Sequence, residues 1–240
     1  CMMMENVNYG REELMFLNII RNGKLGELLH GEAAYIHDLR FQMNEEERGT
    51  GSWRTLEYEK RRGNLYPTHG LGPVSQYMNL LRSEDTFKSL VSLSSPALGR
   101  KKFGEENFPS NHKWNKLNYQ NGDINTSIIK TYLGRTIMVQ WDETSPRPYT
   151  RLNLIQGTKG ILAGGPTRAA FDNGFENYSN DAEKWITGKG IEQLYEKFDH
   201  PLYKRLNSKT KYSGHGGMDG IMMYRLSLIH ISEPTRLRRI

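Results

Sequence analysis

The sequence is short of cysteine, of long apolar runs and of concentrated charge. Cys1 is the only cysteine among 240 residues, which excludes an internal disulfide framework and a cysteine-based zinc site. No apolar stretch approaches the length that crosses a bilayer. The formal net charge is +6, of which +2 lies in residues 226–240, where three arginines accompany one glutamate. Dispersed charge of this size predicts a solvated mixed surface, so we expect neither a nucleic-acid partner nor a membrane span.

Several motifs that carry chemistry are also missing. The chain has no G-x-G-x-x-G after a strand pattern, no G-x-x-x-x-G-K-[ST] and no H-E-x-x-H. Within these residues, their absence excludes the usual cradle for a dinucleotide pyrophosphate, a P-loop and a helical zinc site. Acidic residues near strand ends, such as Asp38, Asp142 and Glu143, show no pairing that favours a two-carboxylate hydrolase. We therefore expect no metal site.

Both ends of the chain look unlike natural termini. The opening residues 1–10 read as a buried strand that emerges into a polar turn, with cysteine rather than methionine in first place. We therefore expect the chain to start inside a fold. Residues 226–240 (LSLIHISEPTRLRRI) look like the translation of a transposase sequencing adapter. We interpret them as a non-native tail, leave them out of the fold prediction and do not count His230 as a ligand.

The periodicity of apolar residues predicts an α+β fold. Residues 98–123 are polar and are expected to be a surface insertion. Helical patterns cover residues 11–21, 74–82, 181–207 and 218–225. Strand patterns cover residues 31–40, 87–94, 124–132, 136–142, 149–156 and 161–163. Several antiparallel strands with helices to one side predict an open, mostly antiparallel sheet with helices on one face.

The segment 66–73 (YPTHGLGP) combines a phenol, a proline, a hydroxyl and an imidazole within four residues. Pro67 fixes its own φ and favours an extended backbone before it. The following glycines and Pro73 are expected to stop that extended run before a helix. The pattern predicts a rigid strand-to-helix corner that presents Tyr66 and His69, although such a corner is also common as plain structure.

Polar and aromatic residues at other predicted strand ends accompany this corner. The set consists of Tyr35, His37, Arg54, Tyr66, His69 and Tyr149. Tyrosine offers a flat apolar face to a sugar ring and a phenolic donor, arginine offers a fixed charge for substrate oxygens, and histidine transfers protons near neutral pH. The set therefore suits a hydroxyl-rich ligand. The glycine-rich segment 214–219 (GHGGMD) either lines a pocket or leads into the last helix.

In this order, these residues resemble glycoside hydrolase family 109, the NAD-dependent N-acetylgalactosaminidases of the Gfo/Idh/MocA superfamily. The resemblance covers essentially all of 1–225. It runs through MMMEN (2–6), GEAAY-x-HD (31–38), WR (53–54), YPTHGLGP (66–73), PRPY (146–149), QGTKG (156–160) and GHGGMD (214–219).

The resemblance implies a two-domain parent. Residues 1–10 are then the last strand of a largely missing Rossmann domain, 11–225 the substrate-binding and oligomerisation domain, and 226–240 the tail. It implies NAD as cofactor, contacted by Asn6 and Tyr66. The residues expected to bind the sugar are Tyr35, Arg54, Tyr66, Pro67, Thr68, His69 and Tyr149. His69 and Tyr66 are the expected proton-transfer residues.

The implied activity is the removal of terminal α-linked N-acetylgalactosamine from glycans. Family chemistry proceeds by oxidation at C3, elimination, addition of water and reduction, which requires no carboxylate pair. Two other functions stay open: a sugar or polyol oxidoreductase of the same superfamily, and a non-catalytic carbohydrate-binding or dimerising module. The exposed sheet face is the expected surface for self-association, and the sequence leaves the localisation open.

Overall fold

One seven-stranded sheet organises the chain. The computed structural model describes residues 4–47, 49–82, 84–176, 178 and 180–232. The strands are Leu28–Ile36 (β1), Phe87–Ser94 (β2), Ile124–Thr131 (β3), Thr136–Asp142 (β4), Leu154–Gly157 (β5), Gly160–Ala163 (β6) and Arg168–Phe171 (β7). They lie in the order β2-β3-β4-β1-β5-β6-β7. β1 and β4 are parallel, whereas the other neighbouring strands pair antiparallel. The predicted α+β class with an open, mostly antiparallel sheet is confirmed.

Helices pack against one face of the sheet. Those of the described residues are Arg11–Arg21 (α1), Thr50–Lys60 (α2), Thr68–Tyr77 (α3), Gly99–Asn107 (α4), Lys189–Phe198 (α5), Pro201–Thr210 (α6) and Met218–Ser232 (α7). The main core lies between α1, α3 and the central strands, where apolar side chains such as Phe16, Ile19, Val74, Ile137 and Ile155 are fully buried. Burial of each such side chain contributes roughly 1.5–3 kcal/mol. None of the helices in the described parts of the chain has both the length and the apolarity for crossing a membrane.

Two glycines bring α3 close to β1. A Cβ atom on Gly31 would lie 2.6 Å from Cγ1 of Val74, and one on Gly70 would lie 2.3 Å from the backbone nitrogen of Ala34. Because only glycine leaves room for such an approach, these positions press the first turn of α3 against the C-terminal half of β1. That contact places His69 beside Tyr35.

The corner at 66–73 differs from its prediction. The residues before Pro67 form a loop rather than a strand, and α3 already begins at Thr68. Pro73 lies inside this helix and is buried, although proline removes one helical hydrogen bond. Packing of Val74 and Tyr77, both buried, against the sheet outweighs this cost. The helix predicted at 74–82 therefore starts six residues earlier and ends at Tyr77.

The start of the chain also differs from its prediction. Residues 1–3 of the predicted opening strand lie outside the described residues, and Asn6–Tyr9 forms a 3-10 helix. Its first turn is capped by the carboxylate of Glu5, which accepts from the backbone N–H of Val7. At the other end, α7 runs through the boundary predicted at 226, and residues 233–240 lie outside the described residues.

Two further segments correct the prediction. The expected surface insertion at 98–123 contains α4 and a short 3-10 helix, and it buries Arg100 and Trp114. The helical region predicted at 181–207 is divided into α5 and α6 by Pro201. The strand patterns at 87–94, 124–132, 136–142 and 161–163 coincide with β2, β3, β4 and β6 within one residue. The patterns at 31–40 and 149–156 were misplaced, because β1 starts three residues earlier and ends four residues earlier than predicted, and β5 starts only at Leu154.

Candidate functional site

Three aromatic rings meet where β1 ends and α3 begins. The ring centroid of Tyr35, which is buried in β1, lies 4.9 Å from that of Tyr66 and 5.0 Å from that of His69. The rings of Tyr66 and His69 are 5.6 Å apart. Pro67 directly precedes α3 with a φ of −71°, and Thr68 is the first helical residue. The four residues of the YPTH motif therefore lie on a rigid helix start over the end of β1.

A buried carboxylate lies behind His69. Oε1 of Glu5 is 3.0 Å from Nδ1 of His69, a close contact that is not linear enough to count as an ideal hydrogen bond. Glu5 is only 7% exposed. Burial acts to raise the pKa of Glu5, but His69 and the Val7 N–H together hold that pKa below its usual value. Glu5 is therefore an ionised partner of the imidazole.

Tyr149 completes the site on the β5 side. Its phenolic oxygen lies 3.5 Å from Nε2 of His69, which is the long limit of a hydrogen bond. Nη1 of Arg151 donates to the same phenolic oxygen at 2.9 Å, and Nη2 donates to Oε1 of Glu13 at 2.5 Å. Burial raises the pKa of Glu13, and Arg151 offsets part of that effect. The ring of His37 lies 5.1 Å from that of Tyr149.

Arg54 lies under the aromatic cluster in a buried ion pair. Its Nε donates to Oε1 of Glu143 at 3.1 Å, and its Nη1 donates to Oε1 of Gln42 at 3.3 Å. The guanidinium carbon is 5.8 Å from the ring centroid of Tyr66. Both charged side chains are buried. Two acceptors thus orient Arg54 beneath Tyr66. The contact of Arg54 with the sugar stays a prediction.

Tyr35 and Tyr66 are proton donors at neutral pH. Burial and the charge of Glu143 raise the pKa of Tyr35 to about 12. Burial and the charge of Glu5 raise the pKa of Tyr66 as well. The site therefore combines neutral phenols with one imidazole, a set that binds hydroxyl groups and moves protons.

Asn6 and the glycine-rich segment 214–219 meet on another side of the site. Nδ2 of Asn6 donates to Oδ1 of Asp219 at 2.7 Å, and Nδ1 of His215 lies 2.8 Å from Oδ2 of the same carboxylate. Burial acts to raise the pKa of Asp219, but Asn6 and His215 hold it below its usual value. His215 and Gly216 line a cavity of about 320 Å³ that reaches Arg151. The pocket alternative for this segment is thereby supported.

Sequence reasoning missed Glu5, Glu13 and Arg151. Glu13 carried a readable signal, because it falls on the buried face of α1 with Phe16 and Leu17, where an unpaired charge is costly. Glu5 and Arg151 gave no such signal. Among the residues that the structure describes, no group of three or more histidine, cysteine, aspartate or glutamate side chains is arranged to hold a metal ion.

Solved structures share this sheet with one helical face. The chain superimposes on an oxidoreductase from Sinorhizobium meliloti with a TM-score of 0.53 at 14% identity, covering 96% of this chain and 53% of that one. It also matches levoglucosan dehydrogenase in complex with NADH and L-sorbose, with a TM-score of 0.52 at 16% identity, covering 81% and 54% of the two chains. At these identities the likeness concerns the fold alone.

Comparison of the sequence with protein families identifies the family of this chain. The model of the glycosyl hydrolase 109 C-terminal domain matches residues 9–234, and the chain belongs to that family. It is 63% identical over 229 residues to glycosyl hydrolase family 109 protein 1 of Akkermansia muciniphila, covering 94% of this chain and 47% of that protein. It is 58% identical over 227 residues to the alpha-N-acetylgalactosaminidase of Shewanella oneidensis, covering 94% and 48%. The chain thus spans about half the length of these relatives.

Proposed function

We propose that this chain supplies the sugar-binding half of an NAD-dependent glycosidase that removes terminal α-linked N-acetylgalactosamine from glycans. The observation that carries the proposal is the cluster of Tyr35, Tyr66, His69 and Tyr149, whose neighbouring rings lie within 6 Å of one another or contact through polar atoms. Membership of the family and the name of the Shewanella oneidensis relative support it. In this proposal, residues 11–225 form the substrate domain.

In this proposal, some residues of the site bind the sugar and others transfer protons. Tyr35 and Tyr149 offer ring faces and phenolic hydrogen bonds to the sugar, and Pro67 and Thr68 fix the wall between them. Nε2 of His69 accepts the proton from C2, and the phenol of Tyr66 exchanges a proton with a sugar oxygen. Proton transfer by positioned groups of this kind contributes about 10²- to 10⁴-fold to a rate.

The residues present fit one end of NAD. The Asn6 carboxamide is oriented by its 2.7 Å donation to Asp219, so its oxygen is the acceptor that suits the amide of a nicotinamide. Tyr66, which is half-buried just before α3, is the other residue of this chain that we propose to contact NAD. When bound, NAD would take a hydride from C3 of the sugar and return it later, which makes the C2 hydrogen acidic. The pyrophosphate requires donors that no motif in this sequence provides.

The test uses the complete protein that contains this chain, with NAD and p-nitrophenyl α-N-acetylgalactosaminide. The proposal predicts free N-acetylgalactosamine, exchange of the C2 hydrogen in deuterated water and no net growth of NADH absorbance. Stoichiometric NADH without sugar release would instead establish an ordinary oxidoreductase. Sugar binding with neither reaction would establish a non-catalytic module.

We also propose that the open side of the sheet mediates self-association. The face opposite α3 carries Val91, Leu93 and Ile128, which are 67%, 74% and 47% exposed. The first two lie on β2, a strand at the edge of the sheet. Exposed apolar residues on an edge strand favour association.

A further inference from the structure

The two ring nitrogens of His69 have different surroundings. Nδ1 faces Oε1 of Glu5 at 3.0 Å, whereas Nε2 faces the phenolic oxygen of Tyr149 at 3.5 Å. Glu5 and the His69 side chain are 7% and 13% exposed. An ionised carboxylate accepts hydrogen bonds but has no proton to donate, whereas a phenol does both. The surroundings therefore distinguish the two nitrogens chemically.

Glu5 is itself held in place. Its Oε1 accepts from the backbone N–H of Val7 at 3.3 Å, and the hydroxyl of Thr68 helps to hold the pKa of its carboxylate below the usual value. A Cβ atom on Gly72 would lie 2.9 Å from Cγ of Glu5, so the backbone of α3 packs directly on this side chain. The same helix turn therefore fixes the carboxylate and the imidazole relative to each other.

We propose that Glu5 is a positioning residue that keeps the neutral imidazole of His69 protonated on Nδ1. The lone pair of Nε2 then faces Tyr149 and the sugar as the proton acceptor. A carboxylate that selects the tautomer of a catalytic imidazole acts through that imidazole and does not touch the substrate. The inference rests on the proposed function, because it gives His69 its proton-transfer role.

The other groups that face His69 do not select this tautomer. They are the phenols of Tyr35, Tyr66 and Tyr149. The cationic Arg151 contacts Tyr149 rather than the imidazole.

The first experiment is ¹⁵N NMR of histidine-labelled chain, because ¹⁵N shifts distinguish protonated from unprotonated ring nitrogens. The wild-type chain is expected to carry its proton on Nδ1 of His69, and Glu5→Gln is expected to show mixed tautomers. Glu46→Gln is the matched control, because Oε2 of the exposed Glu46 also lies 3.0 Å from a histidine ring nitrogen, Nε2 of His112. A proton on Nε2 in the wild-type chain would overturn the proposal, even without a folded variant.

The second experiment measures turnover by the complete protein. Glu5→Gln is expected to lower kcat by up to about 10²-fold, the lower end of a general acid–base contribution. KM should change little. Glu5→Asp should restore part of the rate. An unchanged kcat in Glu5→Gln would refute positioning by Glu5, whereas an inactive wild-type protein would refute the proposed function and leave the NMR result standing.

Discussion

The proposed sugar-binding side and the proposed cofactor-binding side of the site are built to different extents by this chain. On the sugar side, β1, the start of α3 and the segment before β5 bring Tyr35, His69 and Tyr149 into mutual contact. On the cofactor side, Asn6 and its partner Asp219 are the groups in place. Aromatic recognition of a sugar needs one rigid local scaffold, whereas pyrophosphate binding needs a glycine-rich turn and a helix N-terminus. We therefore expect substitutions on one side to change sugar binding and catalysis, and substitutions on the other side to change NAD binding.

The largest effect is expected at His69 in the complete protein. His69→Ala should lower the rate of hydrolysis by roughly 10²- to 10⁴-fold, because it removes the proposed proton acceptor. Asn6→Ala should instead raise the KM for NAD and leave sugar affinity unchanged. Steady-state kinetics, with the concentrations of glycoside and NAD varied in turn, distinguishes the loss of rate from the raised KM for NAD. Full hydrolysis and full C2 exchange in His69→Ala would make His69 a binding residue, and a larger loss in His215→Ala would move the proton-transfer role to that histidine.

Gly70→Val is expected to destabilise the packing of α3 on β1, which supports the proposed sugar-binding residues. The new side chain meets the backbone of Ala34, so overpacking should lower the free energy of unfolding by about 1–3 kcal/mol. Urea denaturation of the chain measures this loss. Leu133→Ala serves as the control, because Leu133 is 60% exposed and such a substitution changes stability by within about 0.5 kcal/mol.

The buried carboxylates of Glu5 and Glu13 should change stability with pH in opposite directions. The pKa of Glu5 is lowered in the folded chain, so its stabilising contribution is present above the unfolded pKa and is lost as the pH falls through the folded value. The pKa of Glu13 is raised, so its contribution weakens as the pH rises. Glu5→Gln should therefore cost about 1 kcal/mol at pH 7 and progressively less toward pH 3. Urea denaturation at both pH values checks this, and an increasing cost on acidification would contradict it.

The smallest effect on folding is expected at the edge of the sheet. Val91→Lys with Leu93→Lys changes exposed side chains, so the free energy of unfolding should shift by within about 0.5 kcal/mol for each. Self-association measured by light scattering should fall in the same variant. Unchanged association would remove the sheet face as the proposed contact surface.

Much of the fold was readable from the sequence because it depends on local periodicity. The strand patterns at 124–132 and 136–142 predicted β3 and β4 within one residue, and α1 was predicted with its observed bounds. The start of α3 was misplaced because burial of Val74 and Tyr77 overrides the local effect of Pro73. Propensity along the chain cannot report that burial.

The site was readable in part for a similar reason. Phenols and imidazoles at predicted strand ends indicated the aromatic cluster, and the structure brings Tyr35, Tyr66, His69 and Tyr149 together. The carboxylate behind His69 could not be predicted, because Glu5 reaches it only through the packing of α3 on the segment before α1. Contacts between residues far apart in the chain come from tertiary structure.

Calorimetric titration of this chain with N-acetylgalactosamine and, separately, with NAD tests the central claim most directly. The account predicts measurable heat of binding for the sugar and none for NAD, with the sugar signal lost in Tyr35→Ala. Strong binding of NAD by the chain, together with no binding of the sugar, would contradict it.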